Sequence, residues 1–472
     1  MNYRLWSRAT PVQAVAALWV AFTASAQAET LRDAMAMAYQ GNPTLEAQRA
    51  VLRGVDETVM QANANYLPNV AGTGSIDRTQ TDVDVGPVTQ GGVVVPGNQA
   101  IGFDATNKNI GARVDQPIFR GFRTKNSVSR AKADVLAQRA NLVAVEQDTL
   151  LQTVTAYMSV LRDQAVLQLN DKQIAVLRRQ LEASQDRFRV GEITRTDVAQ
   201  SQARLADAIS RRAAASAALT ASQELYRRVV GELPAGLTEP DVPQLPMTLD
   251  EAVDTGMMEA PAVLAARFSE QSARKAVSEA KGGLMPTLNG FASVARASGV
   301  QLLGPDVTAQ STSVVKSIGA EVTIPLYQSG AEYSAVRQAK QLQSQRLLEI
   351  RAAERQVIEA VSTAWQEYQA SVAQIKANQE SVKANEIALE GVRQEAAVGS
   401  RTTLDVLDAE QETLNAQVNL IQAESTRMIA AYSLLSSIGE LTAERQKLAV
   451  ALYDPSKNLD QVKWKLFGFG GE

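Results

Sequence analysis

Val190-Gly191-Glu192-Ile193-Thr194-Arg195-Thr196-Asp197-Val198 returns 208 residues later as Val398-Gly399-Ser400-Arg401-Thr402-Thr403-Leu404-Asp405-Val406. Both stretches interrupt long tracts free of proline, one from Ile118 to Leu233 and the other from Leu326 to Asp454. An interior proline loses a helix hydrogen bond and clashes with the preceding turn. Its absence over such lengths, in sequence rich in Ala, Gln, Glu, Arg and Leu, predicts helices that reverse at each Val-Gly. The expected helices cover about 120–190 and 192–230, then about 329–397 and 400–440. At about 1.5 Å per residue the longer ones are rods of roughly 100 Å, far beyond the core of a compact domain. Leu136, Val143, Leu150 and Tyr157 recur every seven residues, with Val154 and Leu161 on a neighbouring seam, which is coiled-coil spacing.

The repeat extends to both halves of the chain. Thr30-Leu31-Arg32-Asp33-Ala34 recurs as Thr248-Leu249-Asp250-Glu251-Ala252, and Leu67-Pro68-Asn69-Val70 as Met285-Pro286-Thr287-Leu288, both at an offset of 218. Pro117-Ile118-Phe119 recurs as Pro325-Leu326-Tyr327 at 208, so the first half carries ten extra residues between Pro68 and Pro117. The chain divides into a first repeat (29–230), a connector (231–247) with Pro234, Pro240, Pro243 and Pro246, a second repeat (248–440) and a tail (441–472). The tail is expected to be a short helix followed by a mobile, aromatic and basic end. Thr30 with Asp33, and Thr248 with Glu251, have the spacing of capping boxes.

Residues 1–28 carry Arg4 and Arg8, a short apolar run and Ala26-Gln27-Ala28, which reads as a secretory signal peptide cleaved after Ala28. The 472 residues contain no Cys and no His, which removes disulfides, thiolate and imidazole catalysis and the usual zinc cage. With 47 basic and 51 acidic residues mixed along the chain, no basic tract suits a nucleic acid. No cofactor or metal is implied, and no enzymatic activity is expected.

After Pro68 and Pro286 the pattern changes to period two. Ile110, Ala112 and Val114 match Ile318, Ala320 and Val322, with Gly111, Arg113 and Asp115 between the first set and Gly319, Glu321 and Thr323 between the second. Val70, Gly72, Gly74 and Ile76 repeat more weakly as Leu288, Gly290, Ala292 and Val294. Strands are therefore expected at about 68–77, 101–118, 286–296 and 313–326, each with one apolar and one polar face, and an exposed loop between Asp77 and Ala100. Four strands cannot close a membrane barrel alone, so several chains must contribute. Phe119, Phe122 and Tyr327 fall at the strand–rod junctions, as an interfacial belt or as ordinary packing.

Taken with these features, the segment Val398–Ala409 makes the chain resemble the TolC family of outer-membrane efflux and secretion channels. The resemblance covers essentially residues 29–440. It implies a mainly α fold with a small membrane β portion: a homotrimer whose twelve-stranded β-barrel continues into a twelve-helix periplasmic α-barrel. It also implies an outer-membrane location, contact with outer-membrane lipid, a periplasmic adaptor protein and an inner-membrane RND or ABC transporter. It further places Asp405 and Asp408 as acidic rings at a narrow entrance, where like-charge proximity would raise their proton affinity. Asp197 and Arg401 would pair as an interhelical gate restraint, and Val190, Gly191, Thr194, Val398, Gly399 and Ser400 would form adaptor-facing tips. Ala396 stands where the family has a gate tyrosine, which weakens or reroutes that restraint. The rods by themselves also suit an extracellular structural coiled coil or a periplasmic adaptor, and the acids an acid-dependent hydrolase without a visible pocket.

Overall fold

In the first half, α1 (Leu31–Gly41) and α2 (Pro43–Asn63) lead into β1 (Asn69–Val85), β2 (Val88–Gln90), β3 (Val93–Val95) and β4 (Gln99–Arg120). Two long helices follow, α3 (Arg123–Arg189) and α4 (Arg195–Val230). The second half repeats the order as α5 (Leu249–Glu259), α6 (Pro261–Lys281), β5 (Thr287–Gly304), β6 (Val307–Thr323), α7 (Ala331–Ala397) and α8 (Thr403–Ser437), followed by α9 (Lys457–Val462). The structure, a computed structural model, describes residues 29–95, 99–304 and 307–469, so the signal-peptide reading of 1–28 lies outside the described residues.

The rods α3 and α7 have 67 residues each. Each is flanked along its length by two shorter helices. α4 runs antiparallel along the far part of α3, where the Ser184 and Ser201 hydroxyls lie 3.2 Å apart and Arg212 donates to Asp171 at 2.7 Å. α2 covers the part of α3 nearer the strands. α8 and α6 serve α7 in the same way, through Asn378 to the Asn419 carbonyl (3.2 Å) and Gln343 to Glu270 (3.0 Å). The halves meet across α3, which also packs on α6 through Arg130 and Glu279 (3.2 Å) and on α8. Because α3 is covered on several sides, burial is not confined to one heptad seam. Leu150, Val154 and Tyr157 are fully buried, Leu136 and Val143 only half-buried, and Leu142 between them is buried. Tyr226, Met35, Leu434, Ile438 and Leu441 complete this core.

The proline-rich connector is strapped to the start of the described chain. Glu29 donates its N–H to the Gly236 carbonyl (3.2 Å) and accepts from the Thr238 N–H (3.2 Å). The Tyr157 hydroxyl, 2.8 Å from the Glu29 carbonyl, also accepts from the Thr238 N–H at 3.0 Å. Thr30 and Asp33 form the expected capping box. Thr248 caps only from one side, since the extra methylene of Glu251 carries its carboxylate back to the Met247 N–H at 2.9 Å. The tail is docked as far as Lys463. Asn458 bonds Asp56 (2.8 Å) and Asn63 donates to the Lys463 carbonyl (3.1 Å), while Trp464, Leu466, Phe467 and Phe469 are exposed.

The four long strands form one antiparallel sheet in the order β1-β4-β5-β6. They extend beyond the period-two segments, to 17, 22, 18 and 17 residues. Their outer parts are rich in Ser, Thr and Gly, which blur the alternation without preventing pairing. The segment read as a loop between Asp77 and Ala100 is largely strand as well. It holds the β2–β3 hairpin, whose Gly91-Gly92 turn has φ of 63° and 78°, the geometry that Gly-Gly favours. The chain swings from strand into rod through two left-handed residues in each half, Gly121-Phe122 and Ser329-Gly330. At Gly121 a side chain is also excluded by space, because a Cβ would lie 2.4 Å from the Gly282 carbonyl oxygen.

Candidate functional site

Two helical reversals form the end of the rods away from the sheet. At each, Gly191 (φ 82°) and Gly399 (φ 84°) end a Schellman motif. The N–H groups of Gly191 and Glu192 return to the Phe188 and Arg187 carbonyls, and those of Gly399 and Ser400 to Ala396 and Glu395. The next helix opens with a capping box. Thr194 accepts from the Asp197 N–H (3.3 Å) and donates its own N–H to the Asp197 carboxylate (2.9 Å); Thr402 and Asp405 repeat this at 3.3 and 2.8 Å. The Thr-x-x-Asp spacing at 194–197 and 402–405 is the signal already recognised at Thr30, and it explains these aspartates as helix caps. Val190 and Val398 are 73% and 81% exposed, so each tip presents an apolar side chain to solvent on a rigid turn.

The expected Asp197–Arg401 pair does not form within the chain. Asp197 is held by Thr194, and Arg401 donates to Glu395 at 2.9 Å, back across its own turn. Asp405 is likewise tied within its own turn. Hydrogen bonds from the Thr402 N–H and hydroxyl hold its carboxyl below the usual range, while those from Thr194 do the same for Asp197. Asp408 is exposed but not bare, because it forms an ion pair with Arg204. That contact joins α4 of the first half to α8 of the second and is the charge tie between hairpins near the tips. A second tie is more deeply set. Arg393 of α7 donates to Glu410 of α8 at 3.1 Å, with Gln173 of α3 alongside, and burial pushes the Glu410 carboxyl up. Sequence reading missed both ties, because neither Arg204 nor Glu410 stands in the repeated motif.

At the other end, register assigns the two faces of the sheet. One carries Val70, Ile76, Ile110, Ile318 and Val322, all well exposed. The other is polar and internally paired: Asn107 donates to Asp77 (3.2 Å), Arg113 pairs with Asp115 (2.8 Å), and the Arg113 guanidinium lies over Phe291 at 5.0 Å. Phe119 and Phe122 meet edge to face at 5.2 Å at the strand–rod junction, with Phe122 and Tyr327 exposed.

Both layers are open at matching edges. Among the described residues β1 and β6 each pair with one strand, so both ends of the sheet offer unpaired backbone. On the β6 side, α7 exposes Tyr333 (62%), Leu348 (62%) and Ile387 (67%). Of the two 67-residue rods, α3 buries 21 residues and α7 only six, although they are counterparts in the duplication. The difference is position: α3 is central and α7 is an edge. A sheet with an apolar and a polar face, continuous with long helical rods, is the architecture of an outer-membrane channel protein. The outer membrane efflux protein family (OEP) matches residues 34–232 and 257–440, and the chain belongs to it. It is 34% identical over 472 residues to the outer membrane efflux protein BepC of Brucella suis, covering 99% of this chain and 98% of BepC. It is 26% identical over 433 residues to the outer membrane protein TolC of Escherichia coli, covering 90% of this chain and 85% of TolC. The solved structure of CusC superposes with a TM-score of 0.73 at 17% identity, over 87% of this chain and 92% of that one.

Proposed function

We propose that three copies assemble around one axis into a twelve-stranded barrel and a twelve-helix periplasmic tunnel. The tunnel receives small toxic compounds and/or secreted proteins from an inner-membrane RND or ABC transporter through a periplasmic adaptor. The observation that carries this is the matched pair of open edges. β6 and α7 on one side, and β1 with α2 and α4 on the other, can be satisfied by a single rotation that completes both layers. Closure removes the sheet edges, as a lipid environment requires, and covers the apolar stripe of α7. Similarity over nearly the whole chain to an outer membrane efflux protein supports the exit-duct reading.

In this assembly the tips carrying Val190, Gly191, Thr194, Val398, Gly399 and Ser400 meet the adaptor, with the two valines as apolar contacts. Asp405 and Asp408 repeat as acidic rings at the entrance and favour cations. Asp197 and Arg401 act by fixing the shape of their own turns, and the Arg204–Asp408 tie holds neighbouring hairpins together. The protein works by transport rather than catalysis. Single-channel recording of purified protein in a planar membrane, with the oligomer mass measured on the same sample, tests the reading. Cation-selective conductance from a trimer is expected; a monomer, or no conductance under several refolding conditions, overturns it.

A further inference from the structure

The apolar face of the sheet carries one exposed cation on every strand, Arg78 on β1, Lys108 on β4, Arg296 on β5 and Lys316 on β6, with the exposed Asp82 on the same face four residues beyond Arg78. Register and duplication together fix their relative height. Perpendicular to the strands, Val70 pairs with Val114, Val114 with Ala292, and Ala292 with Ile318. The duplication instead matches Val70 to Leu288 and Val114 to Val322, each four residues nearer the rods than the register partner. Two equivalent halves standing side by side hold equivalent residues at equal height. Equal height therefore climbs two residues per strand from β6 to β1, which is the stagger that tilted barrel strands require.

Along that line the cations coincide. Lys316 and Lys108 are duplication counterparts, as are Arg296 and Arg78. Lys316 is directly opposite Val294, and two residues further from the rods stands Arg296; Arg296 is opposite Ile110, and two residues further stands Lys108; Lys108 is opposite Ile76, and two residues further stands Arg78. The step immediately below, toward the rods, is Ile318, Val294, Ile110 and Ile76. One cation per strand thus sits on top of one apolar residue per strand. Phe119, on the same face through its pairing with Leu288, lies eleven residues from Lys108 along β4. Eleven residues at about 3.3 Å, tilted by roughly 45°, give about 25 Å of height, which is the height of a barrel's apolar band. The band runs from Phe119 at the rod end to the cations at the end away from the rods.

We propose that Arg78, Lys108, Arg296 and Lys316 form a belt that binds the phosphate groups of the phosphorylated glycolipid in the outer leaflet. The proposal rests on the barrel reading above. Its chemistry is charge complementarity at the depth where acyl chains end and headgroups begin, with the long side chains reaching outward from the apolar wall. In a trimer the belt holds twelve cations, repeated at every strand, which suits a leaflet whose lipids each carry more than one phosphate.

The test uses full-length assembled protein in detergent, with native mass spectrometry of lipids retained from added bisphosphorylated lipid A, dephosphorylated lipid A or phosphatidylglycerol. The variants are R78Q/K108Q/R296Q/K316Q and the charge-conserving R78K/K108R/R296K/K316R. Wild-type protein should retain bisphosphorylated lipid A at least about tenfold better than the dephosphorylated form, and the glutamine variant should lose that preference while the charge-conserving variant keeps it. Equal retention of the two lipid A forms by wild-type protein overturns the belt, and retention of phosphatidylglycerol as strong as that of lipid A overturns the outer-leaflet assignment. Conductance in phosphatidylcholine membranes is recorded on the same wild-type sample. A conducting trimer without lipid A preference sinks the belt alone, whereas absence of conductance sinks the channel reading.

Discussion

Reversing the charges of Arg204 and Asp408, singly and together, tests whether the tie between α4 and α8 restrains the entrance. The two side chains are 36% and 54% exposed, so solvent screens the pair. An exposed pair contributes about 0.2–1 kcal/mol. Three copies acting on one concerted opening amount to about 0.6–3 kcal/mol, a shift of roughly 3- to 150-fold in the ratio of closed to open channels. Arg204→Glu brings two carboxylates together and Asp408→Arg two guanidinium groups, so each alone should raise the open probability in planar-membrane recordings. The double variant should return toward the wild-type value, and the single-variant effect should shrink as salt is raised. If the two effects simply add in the double variant, the contact carries no coupling and the restraint lies elsewhere. Arg401→Glu with Asp197→Arg serves as the comparison: because these residues bond within their own turns, the combination should show no rescue.

Leu348→Glu or Ile387→Glu places a charge on the exposed apolar edge of α7 and should leave the purified protein monomeric by light scattering, with the helical content unchanged. Gly191→Ala or Gly399→Ala forces a side chain into left-handed backbone and should cost about 1–2 kcal/mol, seen as faster amide exchange confined to the adjoining turn. Tyr157→Phe removes the hydroxyl that joins Glu29 to Thr238 and should cost about 1 kcal/mol, with earlier proteolysis of the 231–247 connector. Glu410 has a folded pKa raised above its unfolded value near 4.5, so the folded state holds the proton more tightly. Its contribution is therefore most favourable below that value and is lost as pH rises through the folded pKa; Glu410→Gln should flatten this slope in denaturant melts taken across the window.

Much of the fold was legible because local rules decide it. Proline spacing marked the rods, period two marked the strands, and the offsets of 218 and 208 marked two halves. The capping role of Asp197 and Asp405 is equally legible in Thr-x-x-Asp. The Gly91-Gly92 hairpin was likewise written in the sequence. Arg204 and Asp408 were not, because they are 204 residues apart and meet only through the crossing of two hairpins. The buried setting of Glu410 depends similarly on three helices, α3, α7 and α8, converging on one side chain.

Rods, strands, reversals and the relation between the halves follow from sequence, since backbone propensity and side-chain period act over a few residues. Sequence could not distinguish α3 from α7, whose lengths and compositions are alike. That α3 is central and α7 an edge, and that the sheet ends at β1 and β6, emerges only from the packed chain. Those properties come from strand register and helix order, which are set by the summed packing of residues hundreds of positions apart rather than by any local preference.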